Sequence, residues 1–416
     1  MKGIEYLKRK LNARRRRVLL RYKYYEMKNG RLDLGRLIPP EQAVKYNSVL
    51  GWCAKAVDTL ADRLSLIGFE DDTFDFMGIF NDNNPDVLFD SAILSALISS
   101  CSFIYIADSG DGTPNLQVID GSNATGIIDP TTGLLQEGYA VLSRDTDTQK
   151  VLKDAYFRTG ITVVRDYVER TQEEFISHAP APLLVPIIYR PDARRPFGHS
   201  RISRSCMNLQ NQARMTLTRA NVTAEFYSHP QRYVLGLDED AEFDSNKASI
   251  SSFLALDRGE DGSNPQIGQF TQQNMEPHIS QFKMYAAAFA GETGLTMDDL
   301  GFATENPSSA EAIKASHETL RLTARKAQRT FGSGFMNVGY LAACLRDDYA
   351  FSRNAVYQTT PRWAPIFEPD ASQMSGIGDA AIKINQAVPG YFDKDSLEQL
   401  IGVRAGAEAG NGDTKE

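Results

Sequence analysis

Apolar positions fall at helical spacing from the start of the chain. In "YLKRKLNARRRRVLLRYKYYEMKNG" Leu7, Leu11, Leu19 and Tyr22 share a face, and Asn29-Gly30 ends the pattern, which predicts a basic amphipathic helix. After Pro39-Pro40, "EQAVKYNSVLGWCAKAVDTLADRLSLIGF" places Val44, Val49, Trp52, Ala56, Leu60 and Leu64 on one face of a second helix. Ser91–Ala107 is uncharged but threaded with serines, and its second half turns β-branched and aromatic. It reads as a buried helix running into a strand over Ser102–Ala107 rather than a membrane span. From Ser102 to about Ile188 the period shortens to that of strands: "SFIYIA", "LQVI", "GYAVLS", "TGITVVRDYV" and "LLVPIIY" are divided by Gly110-Asp111-Gly112, Asp129-Pro130 and Gly160. A largely antiparallel β region set between helical parts predicts an α+β chain.

Helical spacing returns after the loop Arg190–Ser200 and continues to about Phe226. Ile202, Cys206, Leu209, Ala213, Leu217, Ala220 and Ala224 form one apolar stripe, opposite a polar side through Asn208, Asn211, Arg214 and Thr218. A single stripe suits packing in one layer, for which neighbouring copies of the chain would serve. Residues 227–273 hold short strands and acidic turns, and "EPHISQFKMYAAAFAGETG" then makes a second helix, so the two form an αα-hairpin with a small excursion at its tip. About a dozen irregular residues follow Gly294 and end at Asn306-Pro307. Ser308 and Glu311 have capping-box spacing, opening a helix to about Arg346 that "GSG" (Gly332–Gly334) is expected to break. Its apolar face is Ile313, Leu320, Ala324, Ala327 and Phe331. Lys314, Arg321, Arg325 and Arg329 form a basic stripe that suits phosphate, solvent or a neighbour's acids. A strand in "AVYQTTPRWAPIF", helices over about Ala371–Val388 and Asp395–Gly402, and a disordered tail, "AGAEAGNGDTKE", complete the reading.

At 416 residues the chain is long enough for two to four structural units. Cys53, Cys101, Cys206 and Cys344 are scattered, which fits reduced thiols, and the charged N-terminus has no apolar segment or cleavage site of a signal peptide. A soluble protein is expected. The net charge of −8 is unevenly placed: Met1–Arg36 holds thirteen Lys/Arg against three Asp/Glu, leaving −18 on the remainder. An acidic body argues against gripping nucleic acid over a broad surface. The run Arg14–Arg17 suits nucleic acid, an acidic partner or a solvated helix face. "DEDAEFD" and "DRGEDG" lack calcium-loop spacing, the five histidines are isolated, and there is no H-E-x-x-H, G-x-S-x-G, phosphate-binding loop or dinucleotide fingerprint. No catalytic residue, metal site or cofactor is nominated.

The order of several segments resembles the portal (head–tail connector) proteins of tailed bacteriophages, particularly the siphophage type. The segments are "YYEMKNGRLDLGRLIPP", "NSVLGWCAKAVDTLADRLSLIGF", "RRPFGHSRIS", "AEFYSHPQRYVLGL", "ENPSSAEAIKASHETL" and "RWAPIFEPDASQMSGIGDAAIKI". The resemblance implies a ring, usually a dodecamer, around a channel at one capsid vertex, through which double-stranded DNA is packaged and ejected. It also implies a portal-type fold: a wing of helices plus antiparallel β (1–195), stem helices at 199–226 and 275–293, a small α/β clip at 227–273, a tunnel loop at 295–307, a wing or channel helix and strand at 308–369, and a short helical crown with a disordered tail at 370–416. By that analogy Thr296, Met297, Asp298, Asp299, Thr304, Glu305 and Asn306 form the tunnel loop, with Asp298, Asp299 and Glu305 facing DNA so that an acidic lining lets the duplex slide. The alternative is that these acids serve only loop geometry. Asp238, Glu239, Asp240 and Glu242 would lie where the packaging motor and later a head–tail adaptor dock. Implied partners are the terminase large subunit, the major capsid and scaffolding proteins and the adaptor, with no membrane. The implied location is the virion's portal vertex, after assembly in the host cytoplasm. Another virion structural or adaptor protein, or an enzyme with a composite active site, is the alternative.

Overall fold

The computed structural model describes residues 2–30, 32, 46–110, 112–228, 232–235, 266–269, 274–302, 310–356, 358–367, 369 and 371–401. The chain divides into two units, one of Met1–Lys28, Gly51–Arg204 and Thr293–Glu416, the other of Asn29–Leu50 and Ser205–Glu292.

The first unit opens with α1 (Ile4–Tyr25). Its start is held by Glu137, whose buried carboxylate accepts the backbone N–H of Lys2 (2.9 Å) and of Gly3 (3.0 Å). A carboxylate there meets both the unpaired donors and the positive end of the helix. Leu7 and Leu11 then pack on Tyr139 and Val141 of the sheet. The next buried position, two turns further, is Val18; Leu19, expected in the core, is exposed.

The expected second helix is shorter than its apolar spacing suggests. Val44 lies outside the described residues, Tyr46–Leu50 is not helical, and α2 spans Trp52–Ala61. The Leu64 N–H then donates to the Ala61 carbonyl in a turn, and Leu66–Glu70 becomes β1, paired antiparallel with β12 (Thr360–Trp363). Pairing with a partner some 290 residues distant overrides the local helical period.

Two short helices, α3 (Phe76–Asn81) and α4 (Pro85–Ser99), lead into β2 (Cys101–Asp108) through Ser100, whose φ is +90°. The serines in this apolar stretch are satisfied by backbone. The Ser99 hydroxyl lies 2.6 Å from both the Ser95 and the Cys101 carbonyls and donates its one proton to either, and that of Ser102 donates to the Ala92 carbonyl at 2.7 Å. Among the described residues no helix is long and apolar enough to cross a membrane.

The strands between Cys101 and Ile188 form two antiparallel sheets. β2 is central to one, between β3 (Pro114–Ile119) and β9 (Leu184–Ile188). The other is a meander of β4 (Ala124–Ile128), β5 (Leu135–Arg144), β6 (Val151–Arg158), β7 (Ile161–Asp166) and β8 (Thr171–Ile176). Mixed helix with antiparallel sheet is the α+β class expected.

Across β9 and β12 runs the long α8 (Glu318–Arg346). It continues through Gly332–Gly334 where a break was expected, because these glycines allow close approach. A Cβ on Gly332 would lie 2.6 Å from Pro361, one on Gly334 2.8 Å from Ile187, and one on Gly339 2.6 Å from the Phe76 ring. Around that last contact Phe69, Phe76, Phe80, Phe89 and Phe335 pack with centroids 4.9 to 6.4 Å apart. Two further helices, α9 (Ala371–Ala387) and α10 (Lys394–Ile401), are joined by a turn that Asn385 closes by bonding both ways to the Phe392 backbone.

In the second unit, α5 (Arg204–Ser228) and α6 (Glu276–Thr293) are linked by Thr216–Gln281 (3.1 Å) and Thr223–His278 (3.3 Å) side-chain bonds. The hairpin strands β10 (Arg232–Leu235) and β11 (Gln266–Gln269) lie between them in sequence. The side of α5 read as polar is not solvent-facing throughout. Arg214 is 2% exposed and donates to the Ser48 carbonyl, while the Thr218 hydroxyl accepts the Ser48 N–H. These groups hold the preceding segment on the helix, whereas Leu209, Leu217, Ala220 and Ala224 of the apolar stripe stay half-buried.

Candidate functional site

After α6 the chain turns at Gly294, whose φ of +69° suits glycine and whose absent Cβ would lie 2.9 Å from Thr319. The turn is anchored before and after this point. The Thr293 carbonyl accepts from the buried Arg201 Nη2 at 2.5 Å, and Leu295 is buried. A single 3₁₀ turn, Asp298–Leu300, follows and ends at Gly301 in the left-handed region.

Asp299 organises this turn. Its Oδ2 accepts the Thr296 N–H (2.9 Å) and hydroxyl (3.0 Å), and its own N–H donates to that hydroxyl (3.1 Å). This reciprocal arrangement is the capping-box logic in miniature. Asp299 also faces His317, whose Nε2 lies 3.3 Å from Oδ2, with both side chains largely buried. His317 interrupts the helix: α7 (Ala310–Ser316) stops before it and α8 begins after it. Its Nδ1 lies 2.9 Å from the Ile313 carbonyl, and the ring meets the Phe367 ring edge-on. The turn is thereby tied to the interruption between two helices.

Burial by itself would raise the Asp299 carboxyl. The Thr296 N–H and hydroxyl, and then His317, more than offset this and hold it below the usual carboxylate range. Asp298 is exposed and Met297 and Thr296 are half-buried. So of the two described acids expected to face DNA, Asp298 is open to solvent and Asp299 is engaged within the turn. Thr304, Glu305, Asn306 and the cap residue Ser308 lie outside the described residues, as do Asp238, Glu239, Asp240 and Glu242. His317 was not nominated from sequence, and a pair eighteen positions apart leaves no periodic signal.

The basic stripe is partly neutralised. Arg321 forks onto Glu318 with two bonds of 2.7 Å, while Arg325 and Arg329 stay exposed. Among the described residues no group of three or more His, Cys, Asp or Glu could hold a metal ion, and all four cysteines are buried free thiols.

A family model for phage portal proteins of the SPP1 Gp6-like type matches residues 4–365. The portal protein of Mycobacterium phage D29 is 23% identical over 341 residues, covering 77% of this chain and 69% of that protein. The portal protein of Mycobacterium phage L5 is 22% identical over 339 residues, covering 76% and 69%. Among solved structures, a chain of the virion of a native gene transfer agent particle aligns over 93% of this chain and 99% of its own, with 13% identity and a TM-score of 0.47. A chain of the neck of the native particle aligns over 88% and 94%, with 14% identity and a TM-score of 0.44. With the match running from α1 to just past β12, through both units, the chain belongs to the phage portal protein family of the SPP1 Gp6-like type.

Proposed function

We propose that this chain is the subunit of a closed cyclic ring of about twelve copies, the portal of a tailed phage, through which double-stranded DNA enters and leaves the capsid. The family match over residues 4–365 carries the reading. In it α5 and α6 are the stem, residues 227–273 the clip, α9 and α10 the crown, and 295–307 the loop that meets DNA in the channel. The protein is a conduit and not a catalyst. Its partners are DNA, the terminase large subunit that supplies the energy and docks at the clip with Asp238, Glu239, Asp240 and Glu242, the capsid and scaffolding proteins, and later the head–tail adaptor. Assembly takes place in the host cytoplasm and the product sits at the capsid vertex.

In the channel loop Asp298 and Glu305 face the duplex. A DNA duplex carries one charge per ~1.7 Å of axis, so fixed cations along its path would bind each phosphate in turn while acids let it slide. Asp299 does not slide past DNA; it fixes the start of the loop through Thr296 and His317. Native mass spectrometry with negative-stain imaging of the purified protein tests the assembly: rings with a central hole are expected. Monomers at high concentration, with and without co-expressed scaffold, would remove the reading.

A further inference from the structure

Viewed down α1, the run Arg14–Arg17 separates onto different faces. At 100° per residue Lys10, Arg14, Arg17 and Arg21 fall on one stripe beside the buried Leu7, Leu11 and Val18, whereas Arg9 and Arg16 point to solvent on another side. The stripe lines a cavity of about 490 Å³, closed on its far wall by Arg194, Arg195 and Phe197 from the loop after β9 and by the ends of β4 and α4. That volume lies within the usual range of ligand sites.

The cavity is built to concentrate positive charge. The Lys10 ammonium donates to the Gly126 carbonyl at 2.5 Å and stands 4.8 Å from the centre of the Phe197 ring, and the Arg14 guanidinium stands 5.0 Å from the same ring. A ring face attracts a cation as a weak substitute for a counter-ion. Arg21 donates to the Ser99 carbonyl, at the negative end of α4. None of Lys10, Arg14, Arg17 and Arg21 forms an ion pair among the described residues. Lys10 is lowered to about 8, by burial first and then by Arg14, and Arg21 to about 10, by burial and then by Arg17 and Arg14. The nearest acid of the far loop, Asp192, is already bonded to His199 and to the backbone N–H groups of Arg194 and Arg195. Packing like charges into a concave site with no internal acid is costly, and an anionic ligand removes the cost.

We propose that this cavity on α1 is a phosphate-binding site that takes the backbone of a nucleic-acid strand. Guanidinium groups match phosphate oxygens with two parallel bonds, and four of the six cations named are at successive helical turns, ~5–6 Å apart along the axis. Such a row suits a linear polyanion better than one carboxylate. Preferring nucleic acid to an acidic peptide rests on the reading of the chain as a portal, which handles DNA.

The test is fluorescence anisotropy of the purified full-length protein with a short labelled DNA duplex, titrated at several salt concentrations. Two double variants of equal charge are compared: Arg14→Gln/Arg17→Gln in the cavity and Arg9→Gln/Arg16→Gln on the solvent face of the same helix, each checked for unchanged thermal melting. Four phosphate contacts imply that wild-type affinity falls about 100-fold between 50 and 200 mM salt. The cavity pair should cut that to about 10-fold, a loss of about two in the log–log salt slope, while the solvent-face pair changes it little. Arg17→Gln alone, at an exposed side chain, should lower the slope by about one. Equal losses from both double variants overturn the proposal. So does a poly-glutamate peptide that binds the same cavity more tightly than DNA, which would assign it to an acidic protein. Rings with equal losses would sink the site and leave the portal reading; cavity-dependent DNA binding without rings would do the reverse.

Discussion

Asp154 shows how much one residue can carry in this chain. It is 1% exposed and accepts from the Tyr139 hydroxyl, the Tyr167 hydroxyl and Arg165 Nε, each at 2.9 Å, with the Lys8 ammonium of α1 at 3.9 Å. Burial and then Asp154 push the Tyr139 phenol well above its usual range, so it remains a donor at any ordinary pH. Asp154→Ala strands the buried Tyr139 hydroxyl and leaves the partly exposed Tyr167 and Arg165 to water, and should cost ~1–3 kcal/mol in urea unfolding. A cost under ~1 kcal/mol would mean the network is wetter than its burial suggests. Asp299 gives the opposite kind of handle, a pH dependence. Its carboxyl lies below its unfolded value, so its contribution is present above the unfolded pKa of ~3.9 and is lost as pH falls through the lower folded one. Hydrogen exchange at the Thr296 N–H reads this directly. Protection should persist down to about pH 4 and fade below it, and Asp299→Ala should remove it at every pH. Protection that is unchanged in Asp299→Ala would show that the turn is held by other groups.

At the scale of elements, glycines separate into two kinds that the sequence alone does not distinguish. In α8, Gly339 meets the ring of the fully buried Phe76, with no room for a methyl group. In α9, Gly376 has nothing within 4 Å of an added Cβ. Gly339→Ala should therefore destabilise by ~1–3 kcal/mol through overpacking. Gly376→Ala should stabilise α9 by ~0.5–1 kcal/mol. Thermal melting of the two variants in opposite directions supports this; a shared direction would refute it. The same contrast explains why α8 looked breakable, since "GSG" reports close approach to Pro361 and Ile187 and not a chain end. Strongly patterned pieces were legible: α1 through Leu7 and Leu11, the α4-to-β2 passage through its change of period, β5 through the short apolar run in "GYAVLS" and β7 through its β-branched run. β8 was not, because all six of its residues are exposed and carry no alternation. β1 was hidden in a helical pattern because its partner, β12, is distant in sequence. The site fared likewise. The turn from Gly294 to Gly301 and its acids Asp298 and Asp299 could be read from turn chemistry, but the Asp299–His317 pair and the meeting of Arg194 and Arg195 with α1 exist only after tertiary folding.

Across the whole molecule, the question is which surfaces make copies of the chain associate. Within the second unit the α5 stripe leaves Leu217 half-buried, and α6 exposes Ile279 at 46% and Met284 at 56%. Apolar side chains scattered singly mean little, but two helices presenting such groups on one αα-hairpin have the composition of a protein–protein contact. In a cyclic ring each subunit offers one face to the next and a different face to the last, so these residues need a complementary patch and not themselves. A charge placed there should act on association and not on folding, because none of the three is fully buried in the isolated chain. Leu217→Glu/Met284→Glu is expected to convert rings to monomers in native mass spectrometry at concentrations where the unaltered protein is fully assembled. The monomer's unfolding free energy in urea should change by no more than the ~0.5 kcal/mol typical of surface changes. Rings that persist with both glutamates would move the contact elsewhere on the protomer. A collapse of the monomer's own stability would show that α5 and α6 bury these groups against each other.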